Sequence, residues 1–215
     1  MELMVVVIIV AVLAALAIPS LSTAKYDRHV YDNAGYIAEL IRTARTRAVG
    51  RGAATLVSLS TNGDGTDRGR FYLYEAVGQN LLTASDVTNR TPINSCTAAT
   101  TVWAAAPAFG TAPTSNIPAG SALYLAGIDL NGGVNDQAKI ITTVTVNVAG
   151  STLSPASPAY LCFTPTGRVY ASTTTTFTAG AAAFQTARIT VRRSGVGLTR
   201  TVLVPPNGAA RITSN

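Results

Sequence analysis

Met1-Glu2-Leu3-Met4-Val5-Val6-Val7-Ile8-Ile9-Val10-Ala11-Val12-Leu13-Ala14-Ala15-Leu16-Ala17-Ile18-Pro19 is the stretch from which the rest of the chain is read. One carboxylate, Glu2, stands ahead of an unbroken apolar run from Leu3 to Ile18, and Pro19 closes it. About 16 residues would make a helix roughly 24 Å long, at the short end of what spans a bilayer. An acid at the mouth of such a helix is costly in lipid and calls for a partner charge. A secretory signal peptide fits less well. Ser22 and Ala24 could supply its cleavage site, but it would begin with positive residues, and Glu2 occupies that place. An ordinary core helix fits no better, because no face of the run is polar. Pro19 lacks the N–H that would reach the carbonyl of Ala15, which predicts a kink or local unwinding.

Downstream the pattern stays helical. Val30, Ala34, Ile37, Ile41, Ala44 and Ala48 recur at spacings of four and three, giving one apolar stripe suited to lie against a sheet. Arg42, Arg45, Arg47 and Arg51 fall mostly off it, and Gly50 and Gly52 end the helix. Strands are expected over 54–60 and 70–76, joined by the turn Asn62-Gly63-Asp64-Gly65, and over 121–128, 140–149, 160–164, 167–172, 187–193 and 198–204. Residues 81–118, rich in Thr, Ala, Ser and Pro, read as a long surface loop carrying Cys96 and Trp103.

The first segment, Glu2-Leu3-Met4-Val5-Val6 with the aliphatic run and Ala17-Ile18-Pro19, resembles the N-terminus of type IV pilins and type II secretion pseudopilins. Four further stretches are similar, loosely, to the GspH/FimT branch of minor pilins, which includes FimU: Ala44-Arg45-Thr46-Arg47-Ala48-Val49, Leu125-Ala126-Gly127-Ile128-Asp129-Leu130-Asn131-Gly132, Cys162-Phe163-Thr164-Pro165-Thr166-Gly167-Arg168, and a final Gly208-Ala209-Ala210-Arg211. The resemblance implies a precursor with a basic leader cut by a prepilin peptidase, a methylated new N-terminus, and a mature protein about three residues longer at its start than this sequence. It implies a single-pass helix in the inner membrane before assembly, and a periplasmic pseudopilus or extracellular pilus afterwards. Glu2 would pair with the terminal ammonium of a neighbouring subunit and set axial register, since an unpaired buried carboxylate is penalised. A helix N-terminal acid favoured by the macrodipole is the plainer alternative for Glu2.

Charged residues are only 12% of the chain, as in secreted β-rich surface proteins. Outside the inner membrane, Cys96 and Cys162 would form one disulfide closing a loop of about 65 residues, worth about 4 kcal/mol in the chain-entropy model; two buried free thiols are the alternative. The net charge is +6, and no Asp or Glu follows Asp136, while Lys139, Arg168, Arg188, Arg192, Arg193, Arg200 and Arg211 do. Arginine suits phosphate, so this third is a candidate polyanion face, or else a solvated basic surface or a contact to acidic neighbours. Some FimT relatives take up DNA through a Gly-Arg-x-Arg tip; the matching place here, 208–211, lacks the first arginine. A DNA-binding competence pilin using Arg192, Arg193, Arg200 and Arg211 is thus the rival reading of another class.

Catalysis is not indicated. The lone histidine, His29, follows the anchor, and the chain holds no nucleophile elbow, zinc motif or phosphate loop. No cofactor or metal is expected. Asn62, Asp64 and Asp67, and Asp129, Asn131, Asn135 and Asp136, cluster oxygens, but Asx-turns account for them without calcium. The expected fold is α+β: a long N-terminal hydrophobic helix packed on an antiparallel β head of two sheets. Its domains are residues 1–52 (1–19 membrane or filament core, 25–50 amphipathic) and 53–215. The expected function is a structural filament subunit bundled through its helices with partner pilins or pseudopilins. A minor, tip or priming subunit is favoured, with a major pilin as the alternative.

Overall fold

The computed structural model describes residues 2–60, 69–78, 91–97, 99, 103, 122–130, 142–148, 151–152, 159–177, 186–193 and 198–214. The backbone is helical over α1 (Glu2–Arg51). Its side chains are described at 3–15, at 24 and 25, and from 27 onward. The strands are β1 (Thr55–Ser60), β2 (Arg70–Glu75), β3 (Val77–Gly78), β4 (Thr91–Pro92), β5 (Leu123–Asp129), β6 (Thr142–Val148), β7 (Ser151–Thr152), β8 (Ala159–Phe163), β9 (Val169–Ser172), β10 (Ala187–Arg193), β11 (Arg200–Val204) and β12 (Arg211–Ser214). Two five-stranded antiparallel sheets result, ordered β5-β2-β1-β8-β9 and β12-β11-β10-β6-β7, with β3 and β4 forming a small separate pair.

Period-two alternation sorts each sheet into faces. In the first, Val57, Leu59, Phe71, Leu73, Leu161 and Phe163 join the main core, while Leu56, Tyr72, Tyr74, Tyr160 and Cys162 join a second cluster on the opposite face. In the second sheet Ala187, Ile189, Val191, Val202 and Val204 turn into the main core. Val30, Ala34, Ile37, Ile41, Ala44 and Ala48 are fully buried there, as the stripe in the sequence predicts. Gly52, at φ 67°, closes the helix by donating from its amide to the carbonyl of Ala48 at 3.1 Å.

The expected architecture, a long hydrophobic helix packed on a head, is overturned. The described apolar stretch, residues 3–15, is thirteen residues, and among the described residues no helix is long and apolar enough to cross a membrane. That stretch does not pack on the sheets: from Leu3 to Leu13 its large side chains are 53–79% exposed. What lies on the sheets is the amphipathic part, and the body is mostly β. Strand length gives the reason. Arg200 lies beside Tyr31 and Asn207 beside Arg45. β11 and the turn that follows it therefore run alongside fourteen helical residues, about 21 Å. Strands of five to seven residues cannot cover the remainder of α1.

Sequence-based boundaries hold within about two residues for most strands, but β3, β4, β7 and β12 were not anticipated. The expected loop over 81–118 is corrected at two points, because Cys96 and Trp103 are buried against the outer face of the first sheet. The turn at 62–65 lies outside the described residues.

Candidate assembly and interaction surfaces

The bare segment of α1 is aliphatic on every side, with Val5, Val6, Val7, Ile8, Ile9 and Val10 all more than half exposed. A contiguous exposed apolar surface of this kind marks a place that another molecule covers. Glu2 and Pro19 belong to helical backbone, and their side chains lie outside the description.

Two sets of contacts fix the packed half of α1 to the sheets. The first centres on Glu75, the last residue of β2, which is fully buried. Arg47 Nε donates to its Oε2 at 3.2 Å. Arg51 Nε lies 3.3 Å from Oε1, close enough for an ion pair although not aligned for a hydrogen bond. Four residues apart, the two arginines share one side of the helix and bracket one carboxylate. Burying that carboxylate is tolerable because cations reach it. Nearby, the Thr55 hydroxyl donates to the carbonyl of Ala44 at 2.9 Å.

The second set centres on Arg45. Its Nε donates to the carbonyl of Asn207 at 2.9 Å, while one turn earlier Arg42 Nε and Nη2 donate to the carbonyl of Ala210 at 3.3 and 3.2 Å. The Arg45 side chain passes two glycines with left-handed backbone, Gly167 (φ 77°) and Gly208 (φ 73°). A Cβ on Gly208 would stand 2.9 Å from Arg45 Cδ and 3.0 Å from the carbonyl oxygen of Gly167. The amide of Val169 donates to the carbonyl of Pro206 at 3.0 Å, joining the two sheets at the same place. Three of the four motif stretches read from the sequence, around Arg45, Gly167 and Gly208, therefore meet in one clasp. The 208–211 segment is part of that clasp, with Ala210 buried.

On the outer face of the first sheet, Cys96 and Cys162 form a disulfide. It fastens the segment carrying Ile93, Ala99 and Trp103 over Tyr72, Tyr74 and Tyr160. Tyr72, Tyr74 and Tyr124 meet edge to face, with centroids 5.9–6.5 Å apart. Gly127 makes room for this, since a Cβ there would fall 2.6 Å from the Tyr72 ring. Burial, followed by the neighbouring Tyr72, Tyr124 and Tyr160, pushes the Tyr74 phenol well above its ordinary value, and burial raises that of Tyr160. Both stay neutral and serve packing.

The basic candidates are not brought together. The register pairs Arg188 with Leu203 and Leu203 with Arg211, so Arg188 and Arg211 share a row on the outer face of the second sheet, two strands apart. Arg192 is exposed on the same face, one strand-length away. Arg200 pairs with the buried Val191 and turns inward, its Cζ 5.7 Å from the Tyr31 ring centroid. The side chains of Arg193 and Asp129 lie outside the description, as do the other residues of the second oxygen-rich turn and the whole of the first. Sequence reasoning missed Glu75, which carried no signal. It named Arg188 only within the basic stretch after Asp136 and Arg45 only within the 44–49 motif, without the contacts either makes.

Comparison of the chain with protein-family models, with curated proteins and with solved structures finds no match.

Proposed function

We propose that this chain is a structural subunit of a filament of the type IV pilus or type II secretion pseudopilus class, a minor, tip or priming subunit of the GspH/FimT kind. One observation carries the reading: an aliphatic helical segment stands bare of the packed sheets, with its large side chains 53–79% exposed from Leu3 to Leu13. Such a surface is unstable in water and needs a cover. Lipid of the inner membrane covers it before assembly, and the corresponding segments of neighbouring subunits cover it afterwards. Glu2 pairs in the filament core with a neighbour's terminal ammonium, and every other stagger is disfavoured because it leaves the buried carboxylate unpaired. The packed half of α1, locked by Glu75 and Arg45, holds the head at a fixed angle to the core.

The arginines divide between two faces of the second sheet, and 208–211 is held by Arg42 and Arg45. Both facts favour a structural role over retention of DNA. The test is quantitative mass spectrometry of sheared, purified filaments, counting this chain against every other pilin-like chain. Trace stoichiometry is expected. Dominance would make it the major subunit, and absence from both surface filaments and cross-linked periplasmic assemblies would refute the proposal.

A further inference from the structure

The segment over the outer face of the first sheet is attached differently at its two ends. Its start is held through the backbone. Thr91 and Pro92 pair with Gly78 and Val77, while Ile93 accepts from the Ala54 amide at 2.7 Å and donates to the Ala76 carbonyl at 3.0 Å. Further along, the amides of Ala99 and Trp103 turn back on the segment itself, donating to the carbonyls of Ser95 and Ala99 at 3.0 and 2.9 Å. There side chains hold it to the sheet: Cys96 is bonded to Cys162 of β8, and Ala99 and Trp103 lie in one cluster with Tyr72, Tyr74 and Tyr160. Each residue held in place costs conformational entropy. Trp103 Nε1 adds a further cost, being buried with no hydrogen-bond partner among the described residues. No described residue of the segment belongs to the main core, which α1 and the two sheets form on the other side of the first sheet.

We propose that the Cys96–Cys162 disulfide is a redox latch on a movable cover. Closed, it seals the tyrosine face of the first sheet. Thiol–disulfide exchange with a dithiol releases the part of the segment that carries Cys96, Ala99 and Trp103, while the helix and both sheets stay folded. One thiolate of the dithiol attacks a cystine sulfur and the S–S bond breaks, giving a mixed disulfide; its second thiolate then displaces the remaining protein sulfur. The dithiol leaves as a disulfide, having given up a pair of electrons, and its protons end on Cys96 and Cys162. Both cysteines are buried, so attack waits on local opening of the segment. Once lifted, the cover bares Tyr72, Tyr74 and Tyr160, an aromatic surface of the kind that other molecules cover. The thiol poise around the head therefore sets whether that face is presented. The latch works the same way whether or not the chain enters a filament.

The test follows amide hydrogen exchange in the full chain, held in detergent micelles, before and after dithiothreitol, with free thiols counted at each stage. The amides of Ala99 and Trp103 report the cover, and those of Val57, Leu59 and Ile189 report the main core. On reduction the cover amides should lose their protection, while the core amides still exchange at least about a hundredfold more slowly than Trp103. Reoxidation with oxidised glutathione should restore the cover. A reduced chain in which Trp103 stays protected overturns the proposal. Loss of core protection together with that of Trp103 also overturns it, because the disulfide would then staple the whole head. A cystine that dithiothreitol reduces only in denaturant overturns the exchange step. The pair Cys96→Ser with Cys162→Ser should reach the open state without any reductant, and protection of Trp103 in that variant would count against the latch.

Discussion

The two halves of α1 obey different rules although one backbone runs through both. Between Val30 and Ala48 the stripe of Val30, Ala34, Ile37, Ile41, Ala44 and Ala48 is buried to zero exposure, while Glu39, Arg42 and Thr46 face water. From Leu3 to Leu13 aliphatic residues occupy every side, and the large ones are all more than half exposed. The packed half is specified by this chain alone, through its sheets, Glu75 and the Arg45 clasp. The bare half makes no such contact with the sheets among the described residues. Apolar content therefore does not by itself place a helix against a core; the match between stripe and strand length does.

That contrast can be broken most sharply at the Glu75 lock. The double change Arg47→Ala with Arg51→Ala leaves a fully buried carboxylate without a cation and should cost about 3–5 kcal/mol, read from the urea midpoint of the isolated chain. Either single change should cost far less, because the other arginine remains. Next in size is Ile41→Ala, which opens a cavity between helix and sheets and should cost about 3 kcal/mol by the same measurement. Gly208→Ala follows. It puts a Cβ on left-handed backbone and against Arg45, and should cost about 1–2 kcal/mol. Pairing it with Arg45→Ala should recover part of that loss; strict additivity would mean that the clasp does not couple the turn to the helix.

Much of the packed half was legible in the sequence, because a stripe at spacings of three and four and strands of alternating character are local patterns. The alternation in Ala187-Arg188-Ile189-Thr190-Val191-Arg192 places the inner and outer faces of β10 without any structure. The clasp was visible only as separate motifs. Arg45, Gly167 and Gly208 are distant in sequence and meet because β9 and the β11–β12 turn converge on the helix. Glu75 was invisible for a related reason: a carboxylate at a strand end is ordinarily solvated, and only the fold sets two arginines over it. Cys96 and Trp103 read as surface residues because their surroundings are polar and irregular, yet the disulfide and the tyrosines draw them into a second core. The long hydrophobic helix packed on the head was misread because hydropathy shows that a segment avoids water but not what it packs against.

The smallest effect on the isolated subunit is the one that discriminates most. Ile8 is 62% exposed and belongs to the half the sheets do not reach. Ile8→Ser removes a sec-butyl side chain that contributes nothing to the main core, so the unfolding free energy read from the urea midpoint should change by less than about 0.5 kcal/mol. In the proposed filament the same side chain would lie among other aliphatic chains, and the hydroxyl would have to be buried there, at a cost of about 1–3 kcal/mol in each subunit. Filament recovery should therefore fall steeply while the head unfolds as before. Ile41→Ala should show the opposite pairing, with the head weakened and any surviving subunit still able to assemble. If Ile8→Ser destabilised the isolated head as much as Ile41→Ala does, the bare half would be part of the core after all, and the division of α1 into two halves would fail.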